Sequence, residues 1–124
     1  MLYTCSVDVM KKIDRKMKWY LAVRGHGNNE VVPDRNDLDL YRNGAITWKG
    51  FVLNYETKLR GREAYEWMRR VSEEAAHEDV VLVSDEKNAK ASYRSFLAEM
   101  MASMFGGTMN FRYMGELSKE SSVG

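Results

Sequence analysis

The strongest folding signal in the chain lies in residues 61–78, where apolar residues recur with the period of an α-helix. They fall on one stripe, and oppositely charged pairs four residues apart cover the other side. An amphipathic helix of this kind is stable only when its stripe packs against another layer. The segment therefore predicts a surface helix laid on a β-sheet, with a stripe made of Ala64, Trp67, Met68, Val71 and Ala75.

Composition is typical of one folded domain. The chain has 124 residues, 44% of them hydrophobic, and a formal net charge of +1, so no overall field selects nucleic acid. The single cysteine, Cys5, excludes an internal disulfide and fits a reducing compartment. No apolar run approaches the ~20 residues of a membrane helix. We therefore expect a cytoplasmic protein with one domain over 1–117, a frayed tail over 118–124, no cofactor and no membrane contact.

Apolar runs and alternating patterns predict the strands. Residues 80–83 are four consecutive aliphatic residues, which is typical of a central strand buried on both faces. Shorter strands are predicted near residues 19–23 and 109–113 from local alternation or apolar character. Residues 2–17 fit two descriptions: a strand followed by a basic connector, or a helix capped by Ser6. We favour the strand and connector.

Two further signals complete the predicted elements. A second helix is expected over about 86–105, capped by Ser84 or Asp85 and stopped by the Gly106-Gly107 pair. Asn43-Gly44 predicts a two-residue hairpin turn between strands at 37–42 and 45–58, because this dipeptide adopts the required positive φ angles.

The order of these elements predicts an α+β fold. We expect a single mixed, mainly antiparallel β-sheet, with two main helices at about 61–78 and 86–105 packed on it. Glycine inside a strand often marks a bulge, and Gly50 is placed to introduce one into the second strand of the hairpin. A bulge at this position would change which side chains share a face of the sheet.

Residues around the predicted hairpin point to one chemical site. Pro33-Asp34 precedes the hairpin and Glu56-Thr57-Lys58 ends its second strand, an arrangement that resembles the PD-(D/E)xK metal-dependent nucleases. The resemblance implies that Asp34 and Glu56 hold Mg²⁺ or Mn²⁺ while Lys58 helps to orient the attacking water, which are the requirements of phosphodiester cleavage. Strand register brings the two carboxylates onto one face only if Gly50 is bulged.

A second pattern combines cations with aromatic side chains, as nucleic-acid-binding surfaces do. It has two parts, a basic connector at 11–18 and a cluster near the predicted strand-to-helix turn. No established DNA- or RNA-binding motif accompanies either part. The cluster also contains the aromatic residues Phe51 and Tyr55, and its predicted binding residues are Trp48, Lys49, Lys58, Arg60 and Arg62.

The function that the sequence favours is a small non-catalytic interaction module of the regulator or inhibitor type. It would bind a protein partner, and a homodimer is one assembly that this interpretation includes. Nine methionines give weak support, because methionine adapts to irregular contact surfaces. Two alternatives stay open: a Mg²⁺- or Mn²⁺-dependent nuclease using Asp34, Glu56 and Lys58, and a nucleic-acid-binding protein using 11–18 and 58–62.

Overall fold

Four parallel strands form the sheet of this protein. The computed structural model describes residues 1–88 and 91–118. Within them the strand order is β2-β3-β1-β4, so β3 and β1 are central. β3 is buried along its whole length, as its aliphatic run predicts. The strands are β1 Leu2–Ser6, β2 Lys18–Leu21, β3 Val80–Ser84 and β4 Tyr113–Glu116.

Helical segments connect the strands. A 3₁₀ turn at Asn29–Val31 follows β2, and a π-helix at Ala102–Gly106 joins α5 to α6. Within the part of the chain that the structure describes, no helix combines the length and apolar character needed to cross a membrane. The helices are α1 Val7–Met10, α2 Arg35–Arg42, α3 Trp48–Leu59, α4 Arg62–Ala75, α5 Tyr93–Met101 and α6 Gly107–Met109.

The predicted mainly antiparallel sheet is wrong. All three strand pairings are parallel: β1 with β3, β1 with β4, and β2 with β3. The cause is the missing hairpin, since a tight turn can join only antiparallel neighbours, whereas the long helical connections found here allow neighbouring strands to run parallel. The chain thus replaces two predicted strands by α2 and α3.

The hairpin prediction failed because Asn43-Gly44 ends a helix instead of turning a strand. Asn43 caps the C-terminus of α2 and Gly44 has a φ of +76°, the conformation that glycine commonly provides after a helix. The apolar residues after it fit either period, but three of them lie four apart and are buried on one side of α3, whereas Leu53 is 56% exposed. These three are Phe51, Tyr55 and Leu59. Gly50 lies in the first turn of α3, so the bulge does not exist.

The helix predicted over 61–78 is confirmed as α4, and every residue of its predicted stripe is buried. The helix predicted over 86–105 begins later, at Tyr93, because Ser92 and not Ser84 accepts the capping hydrogen bond from the backbone. The chain stays helical through the Gly106-Gly107 pair and stops at Asn110, whose φ is +63°. Residues 89 and 90 lie outside the described residues, as does the predicted tail apart from Ser118.

Both descriptions of residues 2–17 hold in part. A strand occupies Leu2–Ser6, and Ser6 then caps the single-turn helix α1 by accepting a hydrogen bond from Val9 N at 3.3 Å. The predicted strand near 19–23 is confirmed as Lys18–Leu21. The predicted last strand begins later than expected, at Tyr113.

Two cores lie on opposite faces of the sheet. The larger core packs α2–α5 against one face, with Trp67 and Tyr55 among its largest fully buried side chains. The smaller core, on what we call the α1-side face, buries Cys5, Val81, Val83 and Leu117. Within residues 1–88 and 91–118, α1, the connector up to Met17 and Leu117 cover it. One face of the sheet is therefore much more thickly covered than the other.

Two adjacent glycines at the end of the π-helix have opposite steric environments, and this gives a stability prediction. A Cβ at Gly106 would lie 2.9 Å from Phe111 O, whereas a Cβ at Gly107 would meet nothing within 4 Å. We expect Gly106→Ala to lower the free energy of unfolding by about 1–3 kcal/mol through overpacking. Gly107→Ala should raise it by about 0.4–1 kcal/mol, because alanine restricts the unfolded chain and fits a helix. Urea unfolding of both variants measures the two effects, and equal signs would contradict this packing.

Candidate binding site at the carboxyl edge of the sheet

A fully buried arginine, Arg94, organises the edge of the sheet where the parallel strands end. Its Nη1 donates to Ser84 Oγ at 2.9 Å and to the backbone oxygen of Glu86 at 2.6 Å. Its Nε and Nη2 donate to Glu116 Oε1 at 3.0 and 2.5 Å. Because the side chain has no exposed surface, these bonds replace all of its contact with water. Arg94 thus joins α5 to the ends of β3 and β4.

Glu116 continues this network into β1. Thr4 Oγ1 donates to Glu116 Oε2 at 2.6 Å and lies 2.5 Å from Tyr113 Oη. The pairing of β1 with β4 slips by one residue between Leu2 and Thr4, and Gly115 has a φ of +102° at that point. This irregularity places Glu116 opposite Thr4, as bulges commonly do when they redirect a side chain. The carboxylate therefore reaches both Arg94 and Thr4.

Glu86 is the acidic residue at this edge whose pKa is raised. Its Oε1 accepts hydrogen bonds from Tyr93 N at 2.9 Å and from Ser84 Oγ at 3.0 Å. Burial raises the pKa of the Glu86 carboxyl to about 7, against the opposing effects of these hydrogen bonds and of Arg94. Burial also raises the pKa of the neighbouring Tyr93 hydroxyl, which donates to Ala22 O at 2.5 Å.

A cleft of about 300 Å³ opens beside this network, next to the ends of β2 and β3. An adjoining groove of about 260 Å³ is lined in part by the same residues, Arg24, Val32 and Arg35, and we call the two together the edge cleft. Ligands of open parallel sheets bind outside the carboxyl ends of the strands, where this cleft lies. Its charged lining residues are Arg24, Arg35, Arg42 and Lys58, with Asp34, Asp39 and Asp85.

The loop that carries Arg24 is held in place by side-chain hydrogen bonds to the helices and to β2. Asn28 Nδ2 donates to Leu21 O at 2.9 Å, and Trp67 Nε1 donates to Asn28 Oδ1 at 3.1 Å. Farther along the same loop, Tyr55 Oη donates to Val31 O at 2.5 Å. The wall of the cleft is therefore anchored to α3 and α4, which favours a preformed site.

The three residues of the predicted nuclease site do not come together. Lys58 Nζ lies 3.2 Å from Asp34 Oδ1, so these two are neighbours at the edge cleft. Glu56 instead accepts from Arg60 at 2.7 Å along α3. Residues two apart on a helix point in different directions, so Glu56 and Lys58 do not share a face. The Gly50 bulge that this prediction needs is absent, and the residues present do not fit a shared metal ion.

More broadly, no group of three His, Cys, Asp or Glu side chains within residues 1–88 and 91–118 is arranged to hold a metal ion. Nuclease activity stays an untested prediction without geometric support. The Cys5 thiol is buried, and burial raises its pKa to about 12, which keeps it protonated and a poor nucleophile at neutral pH.

The predicted aromatic and basic cluster is dispersed. The Trp48 ring stacks on Phe51 with ring centroids 5.4 Å apart, so it packs within the protein. Lys49 and Lys58 lie near opposite ends of α3. Arg60 pairs with Glu56, whereas Arg62 is exposed at the start of α4. These side chains do not form one surface, and nucleic-acid binding by any of them stays a prediction.

The basic connector is solvent-facing over most of its length. Lys11, Lys12, Arg15 and Lys16 are exposed. Lys18 differs, because it forms an ion pair with Glu74 of α4, and Glu74 also accepts from Tyr20. Nucleic-acid binding by residues 11–17 therefore stays a prediction, whereas Lys18 has a structural partner.

The sequence interpretation missed the residues of the carboxyl edge. Arg94 lies one position after Tyr93 in an apolar helix stripe, where an arginine looks like the polar side of the helix. The available signal was Ser84-Asp85-Glu86 directly after the most buried strand of the chain. Polar residues at that position indicate a site when the sheet is parallel. The predicted hairpin led instead to an antiparallel sheet, to which this rule does not apply.

Comparison with known proteins identifies a family. A family model described as a domain of unknown function, DUF488, matches residues 23–101. The match begins at the end of β2 and runs through α2, α3, α4, β3 and α5, so it includes Arg94 and the edge cleft. No curated protein and no solved structure is significantly similar to the chain. Because the matched residues make up more than half of its length, the chain belongs to the DUF488 family.

Proposed function

We propose that this protein is a non-catalytic interaction module that docks a protein surface on the α1-side face of its sheet, and that the occupant is a second copy of the chain. The observation that carries the proposal is the unequal cover of the sheet. Parallel sheets occur almost only with helices on both faces, whereas among the described residues α2–α5 pack on one face and α1, the connector and Leu117 pack on the other.

The α1-side face carries a set of apolar side chains that are only partly buried. Its partly buried side chains come from the strands and from the covering segment alike. Met114 follows Tyr113 in β4 and so faces the other way from it, toward the α1 side, where it is 55% exposed. Partly accessible apolar side chains gathered on one face favour an interaction site there. The partly buried residues are Tyr3, Val7, Val9, Met10, Ile13, Met17, Trp19 and Leu21.

Charges at the rim of this face favour a second copy. The exposed cations of the connector are interspersed with Asp8 and Asp14, so the rim carries both signs. A two-fold contact apposes the same segment from both copies in opposite directions. Acidic residues of one copy then face cations of the other while the apolar centres meet. A single cysteine, buried and reduced, is consistent with a cytoplasmic setting for this assembly.

The oligomeric state tests the proposal. We expect the wild-type protein to have twice its 14.4 kDa chain mass in size-exclusion chromatography with light scattering at micromolar concentration. Met10→Glu and Ile13→Glu each place a charge in the contact and should weaken association at least tenfold, because a buried unpaired charge is strongly unfavourable. Sedimentation equilibrium over a range of concentrations measures the change.

The matched control is Leu53→Glu, which alters an equally apolar and 56% exposed side chain on α3. It should dimerise like the wild type. Circular dichroism checks that each variant is folded before the comparison is made. A wild-type mass of 14.4 kDa at all concentrations would refute the proposal, and so would dissociation by Leu53→Glu as strong as by the α1-side variants.

A further inference from the structure

We propose that the edge cleft is a binding site for the phosphate group of a small phosphate monoester. The site is separate from the α1-side face, and the proposal does not depend on dimer formation. Three guanidinium groups line one cleft, those of Arg24, Arg35 and Arg42. Lys58 adds a fourth cation at the adjoining groove.

The ion pairs within the cleft are loose enough to be replaced by a ligand. Arg35 lies 3.9 Å from Asp39, and Arg42 lies 3.7 Å from Asp85. Charge-assisted hydrogen bonds between such groups are normally about 2.7–2.9 Å long. These arginines therefore keep most of their donors available.

Arg24 is the least committed cation. Within residues 1–88 and 91–118 it forms no ion pair, and its side chain is exposed. Lys58, in contrast, is already bonded to Asp34 and to the backbone oxygen of Val32. The cations thus exceed the three acids of the cleft by one, and the excess lies at Arg24.

Phosphate is the anion that fits these groups best. A phosphate monoester carries up to two charges and three acceptor oxygens, so several guanidinium groups can bind it at once, each by a planar pair of N–H donors. A carboxylate offers one charge and two oxygens. The dianion is therefore the stronger competitor against Asp39 and Asp85 for the same arginines.

The rest of the cleft suits a small organic group. Apolar side chains of Val23, Val32 and Leu38 line it together with Tyr93. A volume of about 300 Å³ is near the lower limit of small-molecule sites. This favours a small monoester over a long polymer, because the ester's organic part would pack on these side chains while its phosphate contacts the arginines.

Calorimetric titration with phenyl phosphate, at matched ionic strength in potassium chloride, tests the proposal. We expect Arg24→Gln and Arg35→Gln each to weaken binding at least tenfold, since each removes charge-assisted hydrogen bonds. Asp39→Asn should strengthen binding, because it removes a carboxylate that competes for Arg35. A merely structural role of Arg35 predicts no such gain.

Inorganic phosphate and phenol are the parallel probes, and Arg62→Gln is the control variant because Arg62 is exposed outside the cleft. Phenyl phosphate should bind more tightly than either probe, and Arg62→Gln should bind it like the wild type. Amide chemical shifts should move at residues 23–25, 32, 34, 35 and 85. The proposal fails if phenyl phosphate does not bind, if inorganic phosphate binds as tightly, or if Arg24→Gln binds like the wild type.

Discussion

Replacing Arg94 by leucine is expected to lower the free energy of unfolding by about 3–5 kcal/mol, the typical effect of removing one partner from a buried ion pair. The substitution leaves Glu116 without its guanidinium partner, and Ser84 Oγ and the backbone oxygen of Glu86 lose their donor. Leucine also has less volume than arginine, so the site would contain a small cavity. These three losses act in the same direction.

Urea unfolding monitored by tryptophan fluorescence measures this effect. Arg94→Lys tests the importance of the planar fork: it keeps the charge but offers only a compact ammonium group, and most of the loss should remain. The control is Arg62→Leu at the exposed start of α4, which should change stability by less than about 0.5 kcal/mol.

A double-mutant cycle with Glu116→Gln then separates the ion pair from the rest of the network. Glu116 keeps 25% of its side-chain exposure, so water compensates it in part and its own variant should be milder. If Arg94→Leu cost less than about 1 kcal/mol, the buried network would not be a principal support of the fold.

The parts of the fold that the sequence predicts well are those whose signal is local and redundant. In α4 the apolar stripe, the charged pairs and the segment length agree, and the structure confirms the helix. In β3 the run of valine and leucine admits few alternatives to a buried central strand. Neither signal depends on which other segments are nearby.

The hairpin error shows where local signals become ambiguous. A hairpin turn needs positive φ angles at both residues of Asn43-Gly44, whereas the end of α2 uses one at Gly44 alone, and the same dipeptide suits either role. Residues 51, 53 and 55 alternate like a strand, whereas 51, 55 and 59 repeat like a helix, and short windows contain both patterns. The capping of α3 by Thr47, which accepts from Gly50 N at 3.1 Å, was the feature that would have distinguished them.

The predicted hairpin also explains why the candidate site was not predicted from the sequence. Arg24 and Asp85 are distant in sequence, and they line one cleft because β2 and β3 run parallel and end at the same edge. Asp34 and Lys58, which the sequence did select, are neighbours for a different reason: α3 packs beside the loop that follows β2. Which residues could be predicted to share a site therefore depended on whether the strands run parallel or antiparallel.

The pH dependence of stability should reveal the buried carboxyl of Glu86. Burial raises its pKa from 4.5 to about 7 in the folded protein, so the folded state holds this proton more tightly than the unfolded chain does. The contribution of Glu86 to stability is therefore fully present below pH 4.5 and is lost as the pH rises to 7. Glu86→Gln stays neutral throughout and lacks this loss. Relative to wild type, its stability should rise by about 2–3 kcal/mol between pH 5 and pH 8.

Urea unfolding of both proteins at half-unit pH steps gives this difference directly, and comparing variant with wild type removes the contributions of other groups. One of those contributions has the opposite sign: the pKa of Glu74 is lowered by its hydrogen bonds to Lys18 and Tyr20 despite partial burial, which favours the folded state above pH 4.5. Glu99→Gln alters an exposed carboxylate on α5 and should follow the wild-type curve. If the free energies of unfolding of the wild type and of Glu86→Gln differed by the same amount from pH 5 to pH 8, Glu86 would ionise in the folded protein as it does in water. The carboxyl edge would then be hydrated, and the polar residues after β3 would be part of the open cleft instead of the closed network around Arg94.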